Sequence, residues 1–143
     1  MIYKPTQHNL RVINDIRRAK EIVALYNNKD LMKAAVYHCT WMAQHDTLSH
    51  NRGGWFNWGR EDLGDRMKKF HIGSWGYAEN IAWGQEGEKE VVDCWMDSLG
   101  HRRNMLNESY NRGALVSVPD KRGRLYWCLN LCKIADVSDG TIL

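Results

Sequence analysis

No apolar run in the 143 residues approaches the length of about 20 that a membrane-spanning helix needs. The opening MIYKPTQHNL lacks the apolar core of a secretory signal, which leaves export open. The chain also lacks a strong charge of either sign. Its 20 Lys and Arg against 17 Asp and Glu leave +3, spread along the sequence, and this argues against a nucleic-acid footprint. The four cysteines form no C-x-x-C pair, which disfavours a structural zinc site. There is no H-E-x-x-H, no G-x-S-x-G, and no glycine loop with the lysine that cradles phosphate. On a strand, Cys128 and Cys132 would stand roughly 13 Å apart, beyond disulfide reach. Cys39 with Cys94 stays open beside the alternative of buried thiols that pack as small hydrophobes.

What is present fits one domain large enough for a real core. Residues 8–26 place Leu10, Ile13, Ile16, Ala19, Ile22 and Val23 at helical spacing. A second helix is expected from Leu31 to Gln44, capped by Asn27, Asn28 or Asp30, with His38 on its apolar stripe. Residues 48–59 have turn chemistry and no period. Leu63, Met67 and Phe70 mark a short helix, acids first and lysines last. The centre of SWGYAENIAWG suits a short strand. Val91, Val92, Trp95 and Leu99 suit a helix that Gly100 would end. GALVSV and RLYWCLNL read as a hairpin in a sheet covered on both faces. Helices first and a hairpin last indicate an α+β sandwich.

Seven tryptophans are many for this length. Trp55, Trp58, Trp75 and Trp83 flank glycines in loop-like segments, as lids on the core or as a binding surface. Glu79 sits among Tyr77, Ile81 and Trp83, where a buried carboxylate must be paired, hydrogen-bonded or neutral. Spacing alone singles out no metal site, but His50, Glu79 and His101 assembled in space would suit Zn²⁺. Each also has a plain alternative: Glu79 capping a turn, His50 packing a loop, His101 bonding helix-end carbonyls.

Taken in order, INDIR, LSH, DR, AENIAWG, VVDCWMDSLGHRRNML and LYW resemble the CAP superfamily of cysteine-rich secretory, antigen 5 and pathogenesis-related 1 proteins, nearest to its bacterial branch. The resemblance spans residues 10 to 132 and implies a three-layer α-β-α sandwich with an open cavity. By motif, His50, Glu79 and His101 look like the cavity residues and are the candidate ligands of a divalent metal. Asn14 and Arg17, like Asp65 and Arg66, read as structural contacts. Ser98 stands where many members carry a second cavity glutamate, and Asp97, one step along a helix, is turned by about 100° from it. The glutamine that often follows the final YW is replaced by Cys128 and Leu129. The resemblance therefore implies a non-catalytic, extracellular binding protein for a small ligand, lipid or peptide. The other readings are a zinc-dependent hydrolase using the same cavity and an interaction module for a protein or cell-wall partner.

Overall fold

The computed structural model describes residues 2–53 and 59–135, and Trp55 and Trp58 lie outside them. The elements run β1 (Thr6–His8), α1 (Arg11–Ala19), β2 (Tyr26–Asn27), α2 (Lys29–Gln44), α3 (Leu63–Lys69), β3 (Tyr77–Trp83), α4 (Glu88–Met96), α5 (Leu99–Leu106), β4 (Arg112–Pro119) and β5 (Leu125–Cys132). The sheet has the order β1-β4-β5-β3, with β2 pairing β4 in parallel.

Alternation along the strands divides the core in two. Val116, Val118, Tyr126, Cys128 and Ile81 pack with Leu31, Ala35, Met42 and Met67 of α2 and α3. Leu115, Trp127, Leu129, Leu131 and Ala82 pack with Ile13, Val91, Trp95 and Met105 of α1, α4 and α5. Both faces of β4 and β5 are thus buried, and the three-layer α-β-α sandwich follows. The hairpin joining them turns on Asp120, whose carboxylate accepts from the N–H groups of Arg122 and Arg124, and on Gly123 at φ +83°.

The ends of the elements differ from the sequence expectation in three places. The first helix stops at Ala19, short of residue 26, because the Asn14 amide exchanges two hydrogen bonds with the backbone of Leu25 and Arg17 binds the Val23 carbonyl. These bonds fold the chain back, and Val23 faces solvent. Gly100 does not end a helix. α4 ends at Met96, the chain turns at Asp97, and Gly100 lies in the first turn of α5. Arg102 then donates to the Met96 carbonyl and satisfies the end of α4. β1 and β2, with three and two residues, are too short to show a period. Asn28 caps α2, and Asp62 with Asp65 forms a capping box on α3.

All four cysteines are free. Cys39 packs on the α2 side of the sheet, whereas Cys94 is exposed on α4 across it, which rules out the bridge. Cys94 also departs from the buried-thiol expectation that the other three meet.

Candidate functional site

β3 is an edge strand, and its alternation sends neighbouring polar residues to opposite faces. Glu79 turns toward α2 and α3, while Asn80 turns toward α5. Glu79 is only 5% exposed and is fully engaged. The Arg66 guanidinium, on α3, donates from Nη1 to Oε2 at 2.6 Å and from Nη2 to Oε1 at 3.1 Å. His50 Nδ1 lies 3.0 Å from Oε1, and Asn130, opposite Glu79 on β5, donates to Oε2 at 2.8 Å. The Cys128 thiol adds a contact at 3.4 Å. Arg66 Nη2 also donates to the His50 carbonyl at 2.6 Å, so one guanidinium holds both the carboxylate and the loop that carries the histidine.

Burial alone would raise the Glu79 pKa. Hydrogen bonds from His50 and Arg66, with the Arg66 charge, overcome it and hold the carboxyl well below its usual range. An ionised carboxylate only accepts, so His50 Nδ1 is the donor of this pair and Nε2 is the ring nitrogen left free to meet a ligand. The His50 side chain is 52% exposed, which places that nitrogen at the mouth of the site.

His38, from α2, completes this face. It is fully buried, donates from Nε2 to the Ser49 carbonyl at 2.6 Å and stands 3.9 Å from Glu79. Burial lowers its pKa; Glu79 opposes that and Arg66 reinforces it, so the setting favours the neutral ring.

His101 lies on the other side of β3. Its backbone carbonyl accepts from the Asn80 amide at 3.0 Å, Asn104 donates to Asn80 Oδ1 at 2.9 Å, and its ring tilts against Trp95. Burial and the neighbouring His50 lower its pKa. The structure therefore joins His50 directly to Glu79 and sets His101 across the edge strand, with no hydrogen bond from its ring to either among the described residues. Ser98 sits at the start of α5, and its side chain makes no cap bond.

Zinc, implied by the resemblance, does not fit Glu79. Both of its oxygens are taken, and a fixed cation already occupies its inner side. Among the described residues no group of three or more His, Cys, Asp or Glu is arranged to hold a metal.

Sequence reasoning missed Arg66, Asn130 and His38 as members of this network. Arg66 was read as a structural contact, whereas it is the principal partner of Glu79. Two signals pointed to the network: a carboxylate due for burial needs a cation, and Asn130 interrupts an otherwise apolar strand.

A profile of the CAP family, described as the cysteine-rich secretory protein family, matches residues 10–131. Over 46 residues, 32% of this chain, the sequence is 50% identical to an uncharacterised protein, YkwD, of Bacillus subtilis, and the match spans 18% of that protein. Among solved structures, an extracellular protein containing an SCP domain from Bacillus anthracis aligns over 86% of this chain and 38% of its own, at 23% identity and TM-score 0.71. An outer surface protein of Borrelia burgdorferi aligns over 92% of this chain and all of its own, at 16% identity and TM-score 0.78. A cysteine-rich secretory protein of Staphylococcus aureus aligns over 87% of this chain and 36% of its own, at 22% identity and TM-score 0.68. At these identities the solved structures speak to the fold.

Proposed function

The chain belongs to the CAP, or cysteine-rich secretory protein, family, and from that premise we propose that it is a non-catalytic extracellular binding domain whose cavity at His50, Glu79 and His101 takes a small ligand, lipid or peptide. One observation carries the reading: both oxygens of Glu79 are spent inside the protein, on Arg66, His50 and Asn130. A general base needs a lone pair within reach of substrate and a pKa near the working pH, and Glu79 has neither. What the site offers a ligand is the outward ring nitrogen of His50, Nε2, whose Nδ1 is held on Glu79, with the His101 imidazole across the edge strand, polar groups suited to hydrogen-bonding a small ligand. The extracellular placement draws on the solved proteins of similar fold, which are described as extracellular, outer-surface and secretory. No helix among the described residues is long and apolar enough to cross a membrane.

The test pairs binding with turnover. Cholesterol sulfate and an acetylated tripeptide amide are titrated separately while the His50 and His101 ring resonances are followed by NMR. Fluorescein-labelled casein is incubated with the protein and zinc. The reading expects a saturable ring shift with at least one probe and no casein release above that of His50→Ala. Release by the wild type that both His50→Ala and His101→Ala abolish would establish the hydrolase instead.

A second reading, an interaction module, is favoured by Trp75, which is 84% exposed at the approach to β3. An indole so placed contributes little to folding and is available to a partner.

A further inference from the structure

The outer edge of β1 and the flank of α2 enclose a groove of about 920 Å³ that shares no lining residue with the Glu79 network. Its apolar floor is Met32, Val36 and Tyr37 of α2 with Phe70. Its other wall is the sheet edge, Gln7 to Asn9 and Asn27 to Lys29. We propose that this groove is a docking site for an extended acidic peptide segment, which adds to β1 as a further strand and lays its alternate apolar side chains on α2.

Three observations lead there. β1 is an edge strand paired only with β4 among the described residues, so the backbone groups that point away from β4 are open to another chain. Thr6 and Gln7 are exposed, and Gln7 lies opposite Val116, on the α2 side of the sheet. A strand placed beside Gln7 would thus face the α2 flank. The apolar stripe of α2 also continues past the sheet, with Val36, Tyr37 and Phe70 only partly covered. This is the floor that a sixth strand would cover.

The third observation is charge. Lys29 and Lys33 stand exposed along the groove. Arg52 and Lys69 both bond the Tyr37 hydroxyl and lie over its ring, 5.1 and 4.6 Å from the centroid. Three acids accompany the four cations: Asp30 at 3.8 Å from Lys33, Glu61 at 3.5 Å from Lys69, and Glu88 at 2.8 Å from the groove-lining His8. The excess is positive: Lys29 and Lys33 line the groove itself, and Arg52 and Lys69 border it through Tyr37. Backbone pairing would supply affinity, the apolar pockets the spacing, and the cations the preference for acidic residues.

The probe is a pool of acetylated, amidated octapeptides in which aspartate or glutamate alternates with valine, isoleucine or leucine. It is titrated into ¹⁵N-labelled protein. The expected result is saturable shifts confined to Thr6–Asn9, Lys29–Tyr37 and Phe70, with new protection of β1 amides from exchange. A Lys29→Glu/Lys33→Glu variant should weaken binding roughly tenfold while its unbound spectrum stays that of the fold. His50→Ala and His101→Ala should bind the pool as the wild type does, which separates this site from the cavity. The same pool methylated at every backbone nitrogen keeps its side chains but loses strand pairing and should not bind. No shift with the pool overturns the proposal. So does equal binding of the methylated pool, or filling of the groove by dodecanoate when the peptides leave it unchanged.

Discussion

Arg17 and Arg66 have no exposed surface, one lies on each side of the sheet, and they are accommodated by different means. Arg66, on α3, faces an ionised carboxylate. Arg17, on α1, faces no carboxylate at hydrogen-bonding distance among the described residues; it donates to the carbonyls of Val23, Met105, Asn107 and Tyr110 at 2.7 to 3.1 Å. The Met105 and Asn107 carbonyls lie at the C-terminal end of α5, where the helix leaves acceptors unpaired and its dipole favours a cation. Burial accordingly lowers the Arg17 pKa, whereas Glu79 outweighs burial and raises that of Arg66. Arg17 is a clamp joining α1 to the segment after α5, with its charge spread over dipoles. Arg66 neutralises the site carboxylate and fixes the loop that carries His50. The first arrangement holds the fold; the second decides what the site offers a ligand.

The strongest way to break this comparison is Arg66→Ala. It leaves Glu79 charged and buried without its cation and should cost about 3–5 kcal/mol in urea unfolding. Removing both charges, as Arg66→Met with Glu79→Gln, should recover at least half of that loss. A single-variant cost as small as that of an exposed ion pair would show that the carboxylate does not depend on Arg66.

Arg17→Met should cost less, about 2–3 kcal/mol, because it strands carbonyls rather than a charge and some of them can take up water. Its companion Lys variant keeps the charge but not the fork of donors, and should recover only part of the loss. Full recovery by Lys would mean that charge, not geometry, joins α1 to α5.

The smallest effect is a change in the pH dependence of stability. Glu79 is held below its unfolded-state value of 4.5, so its contribution is complete above that pH and is lost as pH falls toward the folded-state value. His38 is also lowered, from 6.5, so its contribution too is present above that value and declines below it. Thermal unfolding measured from pH 7 to pH 3 should therefore show falling stability in the wild type and in Arg17→Met alike. Glu79→Gln should be flatter below pH 4.5. An unchanged slope in Glu79→Gln would place the acid sensitivity elsewhere.

Much of this was legible in the chain itself. The helical spacing of α2 and α3, a cap for α2 among Asn27, Asn28 and Asp30, the acids that open α3 and the hairpin of β4 and β5 depend on residues a few positions apart, within reach of periodicity and propensity. The need of Glu79 for a partner was legible as well, since an acid between tyrosine, isoleucine and tryptophan has to be compensated wherever the chain goes. The ordered motifs from Asn14 to Trp127 carried the family and the sandwich. Local pattern was least informative where an element is short or is ended by a distant contact: β1 and β2, the return at Leu25, and the break between α4 and α5 that places Gly100 inside a helix.

The sequence by itself determined that an acid set among Tyr77, Ile81 and Trp83 would need compensation once buried, and that the sheet would be covered on both faces. Tertiary structure decided which partners the acid takes. Arg66, Asn130 and His50 reach it from separations of 13, 51 and 29 residues. Their meeting depends on the register of β3 against β5 and the docking of α3, quantities that no local window contains. It also decided that His101 approaches from the opposite face, because successive residues on a strand point to opposite sides and Glu79 and Asn80 are successive.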